Sequence, residues 1–188
     1  MIYMSTIALI DWDDTLFPTS WVLNNNIPVK RSELFDKLDT TIYNFLTMLN
    51  CVIYIVTNAM LKWLDTSMAI LPKTSLFIKN NAIIVSAKEQ YFKITDDMNE
   101  WKKHAFKDIT KNITNTQHII SIGDAEYEYN ALICLNKHVS SDIFLKTIRL
   151  VQKPNINVLI DQLVTLTKTI HQYKNNKRHL DLVFKNKT

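Results

Sequence analysis

The stretch from Ile7 to Leu16 constrains the fold more than any other part of the chain. It begins with four apolar residues that lead directly into three carboxylates, Asp11, Asp13 and Asp14. An apolar run without polar alternation is typical of a strand buried on both faces of a parallel sheet. The carboxyl end of such a strand is where open α/β folds bind ligands. Because like charges this close repel each other unless a cation or a shared proton intervenes, we expect a functional site here.

Further apolar runs alternate with amphipathic segments along the rest of the chain. We predict five strands, at 2–10, 51–56, 82–86, 118–122 and 144–151. We predict helices between them, at about 33–49, 59–70, 98–112, 129–135 and 157–172. Residues 11–31 are expected to form a loop or short hairpin, and residues 87–99 to be irregular. Strands that alternate with helices indicate an α/β fold with a mostly parallel central sheet of about five strands.

The composition favours one globular domain, because 47% of the 188 residues are hydrophobic, enough for a substantial core. No segment approaches the roughly 18 apolar residues that span a membrane, and the start lacks the basic region of a secretory signal. We therefore expect an intracellular, cytoplasmic protein, with a nuclear location left open and no membrane partner. We assign 1–172 to the domain and 173–188 to a basic C-terminal tail. Cys51 and Cys134 are expected to be buried thiols.

Polar residues of complementary kinds follow three of the predicted strands. Asp11 and Asp13 follow the first strand, Thr57 and Asn58 end the second, and Asp124 ends the fourth. Parallel strands bring these ends to one edge of the sheet. Carboxylates combined with a hydroxyl form a hard-oxygen site that suits Mg²⁺, and one added Lys would let such a site hold a phosphoryl group.

These motifs resemble those of the haloacid dehalogenase-like (HAD) superfamily of phosphatases. The first motif matches Asp-Trp-Asp-Asp-Thr-Leu at 11–16, and the second matches the strand that ends at Thr57. The fourth matches Gly123-Asp124, followed by Glu128, where Asp is commoner in the superfamily. The third motif is a lone Lys at the start of a helix before the fourth strand, and Lys102 is our assignment.

One subset of the superfamily is closer, a subset with the pattern Asp-Trp-Asp-Asp-Thr-Leu-x-Pro-Thr/Ser. Residues 11–19 match this pattern, and 56–59 match its Val-Thr-Asn-Ala. Residues 101–106 resemble its Trp-Lys-x-x-Ala-Phe, which supports Lys102, although Lys103 stays open as the alternative. The resemblance covers residues 5–135 and implies a HAD-like Rossmannoid three-layer fold without a large cap domain.

The resemblance also implies a role for each site residue. Asp11 would be the nucleophile that forms an aspartyl-phosphate, and Asp13 the general acid and base. Thr57, Asn58 and Lys102 would bind the phosphate, and Lys102 would also steady Asp11. The implied ligands of Mg²⁺ are Asp11, the Asp13 backbone carbonyl, Asp124 and, through water, Glu128.

Several residues keep a second interpretation. Glu128 could equally be a solvated acid in the first turn of a helix. Asp14 is expected to be a bystander acid, and Trp12 part of the core. Trp21 could stack on a substrate. The single glycine, Gly123, argues for a close approach of the backbone to a ligand.

The spacing of the motifs bears on the substrate. About 41 residues separate Thr15 from Thr57, and about 44 separate Thr57 from Lys102, so neither gap has room for a large cap. We expect an open site for a phosphorylated substrate, with a phosphoprotein or a nucleic-acid end as the large candidates. The net charge of +4 supports a nucleic acid only weakly. The alternative is a catalytically silent binding module with the same fold, and the sequence leaves the oligomeric state open.

Overall fold

Six strands form one sheet in the computed structural model, which describes residues 5–111 and 115–185. Each pair of neighbouring strands is parallel, and the order across the sheet is β3-β2-β1-β4-β5-β6. The strands are β1 (Ser5–Ile10), β2 (Val52–Thr57), β3 (Ala82–Ser86), β4 (Thr116–Gly123), β5 (Phe144–Arg149) and β6 (Leu180–Val183).

Eight helices connect these strands within the described ranges. They are α1 (Thr19–Asn24), α2 (Glu33–Leu49), α3 (Leu61–Met68), α4 (Pro72–Asn81), α5 (Ala87–Tyr91), α6 (Met98–Lys111), α7 (Glu126–Leu135) and α8 (Ile156–Asn175).

Helices cover both faces of the sheet. Successive side chains of the central strand point to opposite faces, and both sets are apolar, so each face must be buried. In β1, Ala8 and Ile10 belong to one buried cluster, which also holds side chains of α2, α3 and α8. Ile7 and Leu9 belong to a second cluster on the other face, with side chains of α6 and α7. The prediction of an α/β fold built on a parallel central sheet is therefore confirmed.

The prediction of five strands is wrong by one. The sixth strand, β6, lies in the segment that we assigned to a basic tail, and it pairs with β5 from Lys146↔Leu180 to Arg149↔Val183. It is an edge strand of four residues in which two are exposed, so its apolar pattern is too short to stand out. The boundary at residue 172 also does not mark the end of ordered structure, because α8 continues to Asn175.

Three further local predictions differ from the structure. No helix is predicted between 71 and 81, but Pro72 begins α4 there, because the N–H that proline lacks would have no partner in the first turn of a helix. The segments expected to be a loop and an irregular stretch contain the short helices α1 and α5. Cys134 is exposed on the outer side of α7, and Cys51 is only half-buried. None of the described helices has the length and apolar character needed to cross a membrane.

The strand order reverses between β1 and β4, which are neighbours in the sheet although two other strands lie between them in the chain. Open α/β sheets bind ligands in the crevice outside the carboxyl ends of the strands at such a point. The ladder extends one residue beyond β1, because the amide of Asp11 donates to the Ile122 carbonyl at 2.9 Å. Asp11 and Asp124 therefore emerge side by side at this crevice.

Candidate active site

Three carboxylates meet at the crevice between β1 and β4. Asp11, Asp124 and Glu128 each offer an oxygen, and these oxygens lie within 4.8 Å of one another. Asp11 and Glu128 are buried, while Asp124 is half-buried and accepts a long hydrogen bond of 3.5 Å from the Thr15 hydroxyl. Three hard oxygens with this spacing are a suitable ligand set for Mg²⁺ or a similar divalent cation.

Lys102 is the buried cation that faces this cluster. Its Nζ lies 2.6 Å from Asp11 Oδ1 and also contacts Glu128 Oε1. The side chain comes from α6, where Lys102 shares the inward face with Ala105 and Phe106. Burial alone would lower the pKa of Lys102, but the charges of the two carboxylates outweigh it and hold the pKa above its usual range.

Lys103, the alternative that the sequence left open, points elsewhere. Its Nζ pairs with Glu100 at 2.6 Å on the surface of the same helix. Of these two lysines, only Lys102 contacts the carboxylate cluster.

The cluster holds more negative charge than Lys102 can balance. Burial is the main reason why the pKa of Asp11 is raised, and the charges of Glu128 and Asp13 add to it while Lys102 opposes it. Burial likewise raises the pKa of Asp124 to about 7, with further contributions from Glu128 and Asp14. A divalent cation at this position would relieve the repulsion, so the residues present fit a metal on charge as well as on ligand type.

Gly123 allows Glu128 to enter the cluster. A Cβ atom at position 123 would overlap the Cγ and the carboxylate of Glu128. Glu128 is further fixed by a hydrogen bond of 3.2 Å from the Ala125 amide to its Oε2. The close approach expected at the single glycine is therefore to a side chain of this protein, and Glu128 is a buried acid rather than a solvated one.

Asp13 is held by three donors at the mouth of the crevice. Its Oδ1 accepts from the Thr19 hydroxyl at 2.6 Å and from the Trp63 indole at 2.8 Å. Its Oδ2 accepts from the Thr57 hydroxyl at 3.0 Å. Thr57 is fully buried and accepts in turn from the Ala59 amide at 2.9 Å. Asp13 and Thr57, the proposed acid and the proposed phosphate ligand, are thus direct neighbours.

Asn58 follows Thr57 directly, at the end of β2. Its amide donates to the Met98 carbonyl at 3.3 Å, which ties the end of β2 to the start of α6. Its Oδ1 is buried and has no hydrogen-bond partner in the described part of the chain. Asn58 therefore positions the helix that carries Lys102, and one buried acceptor beside the site stays unpaired.

Asp14, Trp12 and Trp21 make contacts that support the fold. Asp14 adopts a left-handed backbone, with φ of 56°, and its carboxylate accepts from the Ser20 amide at 2.8 Å and from the Ser20 hydroxyl. Trp12 is fully buried in the core, as expected. Trp21 is half-buried and packs against the same core from α1.

Sequence reasoning missed two residues that contact Asp13. Trp63 gave no signal, because nothing in the order of residues distinguishes it from a core tryptophan. Thr19 is the last residue of the Asp-Trp-Asp-Asp-Thr-Leu-x-Pro-Thr/Ser pattern matched at 11–19, so a signal was present there although it carried no assigned role.

The chain matches no family model, no curated protein and no solved structure. What can be said of its function therefore rests on the resemblance of its motifs and on the chemistry of the site.

Proposed function

We propose that this protein is a Mg²⁺-dependent phosphatase of the HAD type, which hydrolyses phosphomonoesters through an aspartyl-phosphate. The observation that carries the proposal is the ion pair between buried Asp11 and buried Lys102 beside the two further acids of the cluster. A nucleophilic carboxylate next to a fixed cation is what phosphoryl transfer requires, because negative charge on the phosphoryl oxygens must be balanced. The four motifs resembling the superfamily meet at this one crevice.

In the proposed first step, an oxygen of Asp11 forms a bond to phosphorus while the bond from phosphorus to the leaving oxygen breaks. Asp13 gives its proton to that leaving oxygen. Lys102 balances charge on the phosphoryl oxygens and keeps Asp11 in position. Asp11, Asp124, Glu128 and the Asp13 carbonyl would hold Mg²⁺, which supplies positive charge to the phosphoryl group.

In the second step, Asp13 takes a proton from water and the water oxygen forms a bond to phosphorus, while the bond from phosphorus to the Asp11 oxygen breaks. This releases inorganic phosphate and restores the Asp11 carboxylate. Thr57 has one hydroxyl proton, which it donates to Asp13. Binding of a phosphate must therefore exchange this hydrogen bond for one to a phosphoryl oxygen, which would free Asp13 Oδ2 at the moment when it is needed.

The surroundings of the site favour a large substrate. The segment between Thr15 and Thr57 forms α1 and α2, and the segment between Thr57 and Lys102 forms α3, α4, β3 and α5. Side chains of α1 to α4 join the core on one face of the sheet, and those of α5 join the core on the other. These segments are part of the domain itself, so we propose a phosphoprotein or a phosphorylated nucleic-acid end as the substrate class.

The test is release of phosphate from p-nitrophenyl phosphate with Mg²⁺ and with EDTA. We expect turnover only with Mg²⁺, and Asp11→Asn should reduce it to background because an amide oxygen is a far weaker nucleophile. Asp161→Asn, which changes an exposed acid on α8, is the matched control and should keep wild-type activity. Unchanged turnover in Asp11→Asn would refute the proposal. A panel of phosphopeptides and of oligonucleotides with 3′- or 5′-phosphate would then identify the substrate class.

A catalytically silent binding module is the second candidate. It is favoured by the way Lys102 already pairs with both Asp11 and Glu128, which engages this cation within the protein instead of leaving it free for a phosphoryl group. This candidate predicts Mg²⁺ binding by calorimetry without turnover of any phosphate in the panel.

A further inference from the structure

The two oxygens of the Asp13 carboxylate have different surroundings. Oδ1 accepts two hydrogen bonds, from the Trp63 indole at 2.8 Å and from the Thr19 hydroxyl at 2.6 Å. Oδ2 accepts one, from Thr57 at 3.0 Å. The carboxylate is therefore held from one side by α1 and α3 and faces the proposed phosphate ligand with the other.

We infer that Trp63 is a positioning residue, which holds Oδ1 of Asp13 so that Oδ2 is the oxygen that exchanges a proton with the leaving group and with water. The inference rests on the proposed function, since it assigns a task within that reaction. It adds a residue that none of the four motifs contains.

The chemistry of an indole suits this task. The Trp63 N–H can only donate, so it can hold an acceptor oxygen but cannot take up a proton itself. With Trp63 and Thr19 both donating, the two lone-pair directions of Oδ1 are occupied. A proton on Asp13 then goes to Oδ2, which lies next to Thr57. Proton transfer and phosphate binding are thereby brought to the same side of the carboxylate.

Trp63 is itself fixed by an aromatic cluster. Its ring meets Phe17 edge-on, with centroids 6.0 Å apart, and Phe17 stacks on Phe35 at 5.8 Å and on Trp12 at 6.2 Å. Edge-to-face and stacked contacts of this kind restrict the ring orientation. The indole N–H therefore has a defined direction toward Asp13.

A second indole hydrogen bond joins the same two segments. The Trp12 indole donates to Ser67 at 2.8 Å, and the Ser67 hydroxyl donates back to the Trp63 carbonyl at 2.9 Å. The segment that follows β1 is thus joined to α3 twice, once through Trp12 and once through Asp13. This double connection fits a role for α3 as the support of the proposed acid.

The kinetic test uses Trp63→Phe, which keeps an aromatic ring against Phe17 and removes the N–H. We would measure kcat/KM for aryl and alkyl phosphates whose leaving groups become increasingly basic. Protonation by Asp13 matters most for basic leaving groups. The variant should therefore lose about 10-fold more activity on the most basic leaving group than on p-nitrophenyl phosphate. Thr19→Val removes the other donor to Oδ1 and should likewise lower kcat/KM most for the most basic leaving groups.

The matched control is Trp101→Phe, which removes an indole N–H that donates to the Thr95 carbonyl at 2.8 Å. It should change kcat/KM by the same factor for all substrates. If Trp63→Phe also lowers kcat/KM equally for all substrates, the positioning role is refuted while the proposed phosphatase activity stands. A wild-type protein inactive on every phosphate would instead refute the proposed function and, with it, this assignment.

A measurement independent of turnover tests the contact itself. The four tryptophans give four indole N–H signals in a proton–nitrogen NMR spectrum, and the Trp63→Phe spectrum identifies the one from Trp63. Asp13→Ala should shift this signal and speed its exchange with solvent, without moving the Trp101 signal. A Trp63 signal that does not respond to Asp13→Ala would overturn the inference, whatever the activity.

Discussion

At the scale of single residues, the pair Gly123 and Glu128 decides whether the acidic cluster can form. The Glu128 side chain occupies the space that a Cβ at position 123 would take. Glu128 contacts Lys102, which pairs in turn with Asp11, so a displacement at residue 123 would be passed on to the proposed nucleophile. The requirement for glycine here arises from space and not from backbone conformation, since Gly123 does not have a positive φ.

Gly123→Ala is therefore expected to lower the free energy of unfolding by about 1–3 kcal/mol, the usual cost of overpacking a buried site. Urea denaturation would measure it, alone and in a Glu128→Ala background. Because Glu128→Ala removes the atoms that the new Cβ would meet, the same substitution should cost far less there. Equal costs in the two backgrounds would show that the overlap with Glu128 is not the cause.

At the scale of secondary-structure elements, one helix supplies the N-terminal cap of another. The first residues of α4 have no cap from their own segment. Instead Asp39, which is buried on α2, accepts from the Lys73 amide at 3.0 Å and from the Thr74 amide at 2.8 Å. These N–H groups would otherwise be unpaired at the start of α4, so Asp39 links the orientation of α2 to that of α4.

Asp39→Ala should destabilise the protein by about 2 kcal/mol, because it leaves two amides of α4 without an acceptor and removes a charge that favours a helix N-terminus. Asp39→Asn keeps one oxygen acceptor and should cost about half as much. Thermal and urea unfolding of the three proteins gives both values. If Asp39→Ala is as stable as wild type, the cap does not contribute.

At the scale of the whole molecule, the parallel sheet brings three acids to one crevice, from the ends of β1 and β4 and from α7. Asp11 and Glu128 are buried there and Asp124 is half-buried. The carboxylates of this cluster therefore repel each other in the folded protein. Asp124 shows the effect, since its pKa rises from an ordinary 3.8 to about 7 on folding, mainly through burial. Ionised Asp124 therefore destabilises the folded protein unless a cation is bound. The penalty is absent below about pH 4 and complete above about pH 7.

Asp124→Asn should accordingly stabilise the protein in EDTA at pH 8, by about 1–2 kcal/mol after allowing for partial exposure. At pH 4 the gain should vanish, because wild-type Asp124 is then protonated in the folded state. Mg²⁺ should raise the Tm of wild type and leave Asp124→Asn nearly unchanged, since one ligand of the cluster is lost. Unfolding curves at both pH values, with and without Mg²⁺, measure all three effects. A variant less stable than wild type in EDTA at pH 8 would contradict the repulsion.

The sequence by itself determined the elements whose signals are local. The apolar runs of β1, β2 and β4 and the polar residues at their ends predicted a parallel sheet with Asp11, Asp13, Thr57 and Asp124 at one edge, because strand period and connection rules depend only on nearby residues. The sequence also contained a signal that favours Lys102, because Lys102 lies three and four residues before Ala105 and Phe106 on the inward face of α6.

Only the tertiary structure decided which distant side chains meet. It paired Lys102 with Asp11 and Glu128, packed Glu128 against Gly123, and brought Trp63 and Thr19 to Asp13. It also formed β6, whose short pattern has meaning only beside β5. Contacts of this kind depend on how helices from separate parts of the chain lie on the sheet. The stretch from Ile7 to Leu16 thus contains the carboxylates, and the packing of α1, α3, α6 and α7 around it determines which side chains contact them.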